Sequence, residues 1–107
     1  MRLADLLQYG QIVIQAHNDP DADAVGSGYA LYRYFQSHGK DVRLVYGGRN
    51  PISKSNMKLM VAELDIPIEH VQELEPPELL LTVDCQYGEG NVQKFEARNV
   101  AVIDHHA

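Results

Sequence analysis

One cysteine, Cys85, is all the thiol chemistry in this chain of 107 residues. An internal disulfide and a thiolate-built zinc site are therefore excluded, and with no basic-then-apolar leader the expected location is a reducing cytoplasm. Basic residues are also scarce: 9 Lys and Arg stand against 15 Asp and Glu, for a net charge of −6. That balance argues against duplex nucleic acid as a partner, because such binding draws on a broad face of Lys and Arg. No apolar run approaches the roughly 20 residues of a membrane span, so no membrane partner is expected. Proline clusters only in "EPPE" at 75–78, a turn and not a domain linker. There is no internal repeat, no Walker-type phosphate loop, and no arrangement of Ser-His-Asp or Cys-His type to supply a protein nucleophile.

What is present is an alternation of short apolar runs with helical periodicity. The chain is 45% hydrophobic, and at this length one domain buries roughly 65% of its unfolded surface. "QIVIQA" at 11–16 is a β-branched run of strand length. The stretch that follows places Val25, Tyr29, Leu31, Tyr32 and Phe35 at helical spacing, with Gly39 as a stop. "DVRLVY" at 41–46 reads as a second strand, "SKSNMKLMVAEL" at 53–64 as a second helix, and "ELLLTVD" at 78–84 and "NVAVID" at 99–104 as further strands. "DIPIEHV" at 65–71 has room for one more short strand, and "NVQKFEA" at 91–97 for a short helix. Strands this continuously apolar have no wet face. The expectation is a Rossmann-like α/β fold, a parallel sheet with helices on both faces in three αβα layers.

The polar clusters fall in a pattern against that frame. His17, Asp19, Asp21 and Asp23 follow the first strand, Asp84 ends a later one, and Asp104, His105 and His106 end the last. All three clusters sit at carboxyl ends of strands, which in an open parallel sheet share one edge and form the ligand crevice. With no lysine or arginine among them, this acidic group repels itself unless cations lie inside it. Carboxylates with a few imidazoles suit Mn²⁺, Mg²⁺ or Fe²⁺, and manganese fits best. The donors outnumber the needs of one ion, which points to two ions about 3.5 to 4 Å apart, with Asp84 as the natural bridge.

Each cluster also has a plainer reading. "DPDAD" in isolation is a solvated turn more often than a metal loop. A calcium EF-hand opens with the same spacing but requires Gly and Glu where Ala24 and Ala30 stand. Asp84 alone is equally a strand-ending turn residue; a terminal "HH" also occurs as a tag scar, but this one follows an unbroken strand pattern and has only two histidines. Three independent clusters at one sheet edge outweigh these separate accounts. His38 and His70 read as surface residues, Cys85 as a small buried one, and the six tyrosines as core and rim. Gly26, Ser27 and Gly28 keep the first turns of the helix slim, either for close approach to a bound anion or for tight packing on the sheet.

"HNDPDADAVGS", "LLTVD" and "VIDHH" resemble, in that order, the three motifs of the DHH phosphoesterase family, and the resemblance spans nearly the whole chain. It implies that His17, Asp21, Asp23, Asp84 and His105 bind metal, that His106 contacts the substrate phosphate, and that Asp104 orients the histidines. Asp19 lies outside the family's ligand positions. "GGRNPISKSNMKLM" looks more like the nano-RNase, phosphoadenosine phosphatase and exopolyphosphatase-related branch than the RecJ exonucleases. The implied activity is divalent-metal-dependent phosphoester hydrolysis by a metal-activated water, with two Mn²⁺ ions, or Mg²⁺ or another divalent ion. Its expected substrates are short oligonucleotides, phosphoadenosine phosphate and other small nucleotides. A manganese-dependent pyrophosphatase and a noncatalytic metal-binding or interaction fragment are the alternatives.

Family members carry a further aspartate ligand beyond the "DHH" motif and, in most branches, a C-terminal substrate-binding domain. Residues 1–107 are thus expected to form one domain, the amino-terminal portion of a DHH phosphoesterase domain, inactive by itself. Uncovered apolar surface would favour a homo-oligomer.

Overall fold

The computed structural model describes residues 3–17, 20, 22–48, 52, 55–83 and 97–103. Within them, five strands form one sheet: β1 Gln11–Ala16, β2 Asp41–Tyr46, β3 Ile68–His70, β4 Leu79–Val83 and β5 Val100–Ile103. The order across the sheet is β3-β2-β1-β4-β5, and every neighbouring pair is parallel. The apolar runs become strands because both sides of the ribbon are covered: Ile12 to Ala16 and Leu79 to Val83 are all buried. Only a sheet packed on both faces accepts such sequences.

Two α-helices lie among the described residues, α1 Ala22–Ser37 and α2 Ser55–Glu63. Val25 and Phe35 of α1 and Met57 of α2 join Ile12, Ile14, Leu44, Leu79, Leu81 and Val83 in one core. Both helices therefore cover the same face. The connection rule explains this: right-handed crossovers that build β1, β2 and β3 in one direction put α1 and α2 on one side, and the return to β4 crosses the other. There Val71 and Leu74, which follow β3, and Ala97, which precedes β5, pack on Val13, Val45 and Leu80. The short helix expected at 91–97 lies, apart from Ala97, outside the described residues. A 3-10 helix over Leu3–Gln8, which the sequence pattern did not suggest, seats Leu6 in the helix-covered core. No described helix is long and apolar enough to cross a membrane.

Both helices end in the same way. Gly39 takes a positive φ of 76°, the Lys40 N–H reaches the Phe35 carbonyl at 3.1 Å, and the Gly39 N–H reaches that of Gln36 at 3.0 Å. This is the Schellman closure expected of the glycine stop. At the end of α2 the Ile66 N–H reaches the Val61 carbonyl at 3.0 Å and the Asp65 N–H that of Ala62 at 3.4 Å, but the left-handed residue is now Asp65, with φ 55°. Ile66 is then buried beneath the helix.

The opposite edge of the sheet is tied by "EPPE". Oε1 of Glu78 accepts the Gly10 N–H at 2.6 Å and the Gln11 N–H at 3.4 Å, while its carbonyl accepts Nδ2 of Asn99 at 3.0 Å. Pro77 is buried, and its carbonyl takes the Arg98 N–H at 3.1 Å. Glu78 thus joins the amino ends of β1, β4 and β5, more than the plain turn that the two prolines suggested.

Gly28 and Gly26 differ in what surrounds them. A Cβ on Gly28 would lie 2.7 Å from Cδ1 of the fully buried Leu44, whereas one on Gly26 meets nothing within 4 Å. Tight packing of α1 on β2 thus accounts for Gly28 but not for Gly26. Gly28→Ala is expected to lower stability by about 1 to 2 kcal/mol, because a packed core resists an added methyl. Gly26→Ala is expected to raise it by about 0.5 to 1 kcal/mol through helix propensity. Urea unfolding of the two variants checks the opposite signs. The same measurement on Asp65→Gly is expected to show a gain of about 1 kcal/mol, since the left-handed cost and a carboxylate at a helix C-terminus are removed together.

Candidate metal centre at the carboxyl edge

The register of the ladder fixes where the five strands stop. Ala16 pairs with Tyr46, Tyr46 with His70, Ala16 with Val83, and Val83 with Ile103. His70, Tyr46, Ala16, Val83 and Ile103 are each the last residue of their strand, so the carboxyl edge is a single rung. In the sequence, His17 follows Ala16, Asp84 follows Val83, and Asp104 follows Ile103. Chain progression reverses between β1 and β4, and a doubly wound sheet opens its ligand crevice at that reversal.

Of the expected ligands, His17 and Asp23 lie among the described residues. His17 leaves β1 directly and is half-buried; Asp23 is exposed in the first turn of α1, where the helix dipole favours a carboxylate. Small side chains bring their sequence neighbours together. Ala16 beside His17 and Ala24 beside Asp23 are both fully buried against Tyr46, so the first turn of α1 sits down onto the ends of β1 and β2. The remaining expected site residues, Asp21, Asp84, Asp104, His105 and His106, are outside the described residues, as are Asp19 and Cys85. Among the described residues no group of three or more His, Cys, Asp or Glu gathers that could hold a metal ion. The two donors present are an imidazole nitrogen and a carboxylate, a set that fits manganese or magnesium.

His70 does not lie on the open surface as its sequence context suggested. It is half-buried on the terminal rung, its ring centroid 5.0 Å from that of Tyr46 and its Nε2 2.9 Å from the Gly48 carbonyl. A carbonyl only accepts, so Nε2 carries the proton. Nε2 of Gln72 donates to the same carbonyl at 3.0 Å. Tyr46 Oη accepts the Ile52 N–H at 2.8 Å. His38, by contrast, is exposed beyond the end of α1, its ring 4.7 Å from that of Tyr34. The described tyrosines divide as expected: Tyr46 is core, and Tyr9, Tyr29, Tyr32 and Tyr34 are half-buried rim, while Tyr87 lies outside the described residues.

Sequence reasoning also passed over Gln15 and Thr82. They pair in register one rung below the edge, both fully buried, with Thr82 Oγ1 donating to the Ala101 carbonyl at 3.4 Å. The available signal was a single polar residue within each of two otherwise apolar runs. A cavity of about 220 Å³ between Tyr46, Ile52, Ile68 and the α2 residues Lys58, Val61 and Ala62 lies to one side of the edge. Its mostly apolar walls do not suit a metal.

A family profile described as "DHH family, N-terminal domain" matches residues 11–107, from the first residue of β1 onward and across all three motifs. A search of curated proteins returned no match. The chain belongs to the DHH family.

Proposed function

We propose that this chain carries the metal-binding part of a divalent-metal-dependent phosphoesterase acting on small nucleotides or short oligonucleotides. Membership of the family supports the phosphoesterase class. The observation that carries the finer reading is the common terminal rung of β1, β4 and β5. Neighbouring strands lie about 4.8 Å apart, so the ends of β1 and β5 are about 10 Å from each other with β4 midway. Side chains entering from both flanks can then meet above the middle strand. In this reading His17, Asp21, Asp23, Asp84 and His105 hold the ions. Asp84 follows the middle strand in the sequence and would supply its carboxylate from between the two flanks.

Two divalent ions, if held by these residues, would supply Lewis acidity toward the phosphoryl oxygens and would activate a water for attack. The protein's own part is orientation and charge. His17 brings an imidazole from a strand end that cannot shift without breaking the ladder. Asp23 brings a carboxylate from a helix turn seated on that same strand. His106 contacts the phosphate and Asp104 orients the histidines. The first-turn amides of α1 add partial positive charge for an anion, and Gly26 leaves that approach open.

Manganese is expected to stabilise the chain by mass action, by about 2.7 kcal/mol at a hundredfold excess over Kd, or roughly 10 to 20 °C in Tm for a domain of this size. Asp84→Asn is expected to abolish most of the shift, His38→Ala to leave it intact, and EDTA to reverse it. Calorimetric melting checks all three, and an equal loss in both variants would show nonspecific binding. Because residues 1–107 alone are expected to be inactive, assays of a version that also carries the family's further aspartate ligand and substrate-binding domain, with Mn²⁺ and a panel of short oligonucleotides, phosphoadenosine phosphate and pyrophosphate, then test the substrate class. Turnover confined to pyrophosphate overturns the nucleotide reading.

A further inference from the structure

Tyr46 occupies a junction that none of the motifs includes. Its ring packs on Ala16 and Ala24, the immediate neighbours of His17 and Asp23, and it is 4% exposed. Three further contacts hold the ring there. The His70 ring lies against it at 5.0 Å with 35° between the planes, Oη accepts the Ile52 N–H at 2.8 Å, and its own carbonyl accepts the Val71 N–H at 3.0 Å. His70 is fixed in turn by donating from Nε2 to the Gly48 carbonyl, in a turn where Gly48 has φ 92°. Backbone pairing of Ala16 with Tyr46 and of Tyr46 with His70 leaves this stack no freedom to slide along the strands.

We propose that Tyr46, braced by His70, is a positioning element that sets the separation between His17 and Asp23 and thereby the metal affinity of the site. The proposal rests on the metal-binding reading above. The two side chains reach the site by different routes, one from the end of β1 and the other from the first turn of α1. Alanines at 16 and 24 are too small to fix the gap between those elements by themselves. The Tyr46 ring fills the junction from the neighbouring strand, so its size and its tilt decide how far the helix turn stands from the strand end. Neither Tyr46 nor His70 need touch a metal to do this. Residues that orient metal ligands from outside typically change affinity by about 10- to 100-fold when removed.

The test is Mn²⁺ affinity, measured by isothermal titration and by the paramagnetic resonance of free Mn²⁺, on the 107-residue chain and its variants. Tyr46→Leu is expected to weaken binding by about tenfold or more, and His70→Ala by several-fold. Tyr46→Phe keeps the packing ring, and His70→Gln keeps an N–H for the Gly48 carbonyl. Both are expected to stay within about twofold of the parent, a rescue that general destabilisation does not produce. Phe35→Leu, a change in the fully buried core at the far end of α1, serves as the stability control and is expected to leave affinity unchanged. Should Tyr46→Leu fail to fold, the His70 pair carries the test alone. Unchanged affinity in His70→Ala and any folded Tyr46→Leu overturns the proposal while leaving the metal reading in place, as does an equal fall in Phe35→Leu. Absence of Mn²⁺ binding by the parent chain overturns both.

Discussion

The parallel hydrogen-bond ladder, with every strand stopping on one rung, is the constraint on which the rest of the molecule depends. A strand rises about 3.3 Å per residue and alternates its faces. One residue of slip in β4 would move the end of the strand by about 3.3 Å and turn Leu79, Leu81 and Val83 out of the helix-covered core. Burial of those three side chains therefore also fixes the rung on which β4 ends. Packing and strand register are here enforced by the same contacts.

The helix-covered face and the carboxyl edge also share their materials. Gly28 lets α1 approach Leu44, and Ala24 and Ala16 let its first turn settle against Tyr46. The small residues in and just after the first motif thus differ in their surroundings. Gly28 serves packing, whereas Gly26 faces open space, where its lack of a side chain brings the fold no benefit and costs helix propensity.

Much of this was legible in the sequence because the signals were local. "QIVIQA" and "DVRLVY" form strands over their full length, since runs of apolar and β-branched residues leave no other structure in which both faces are buried. Gly39 marks a helix end through its own backbone freedom. The resemblance to the family that the chain proves to belong to was likewise visible, and the strand ends at Ala16, Val83 and Ile103 fall within a residue of where the sequence placed them, each directly before a polar motif residue. What escaped notice depends on partners distant in sequence. His70 reads as a surface residue until β3 pairs with β2 and lays it against Tyr46. Glu78 reads as part of a turn until Gly10, 68 positions away, donates to it. The left-handed Asp65 carries no sequence mark, because aspartate tolerates that conformation without requiring it.

The tie made by Glu78 has a consequence for how such a protein diversifies. It clamps the amino ends of β1, β4 and β5, the pole remote from the candidate metal centre, with one carboxylate and one carbonyl. The alignment of the strands that lead to the three motifs is thereby anchored at the pole opposite the candidate site. Register is thus held without help from the segments that follow the carboxyl ends, and their length and composition can change without loosening the strands. In mechanical terms the sheet is a cantilever, gripped at its root and working at its tip.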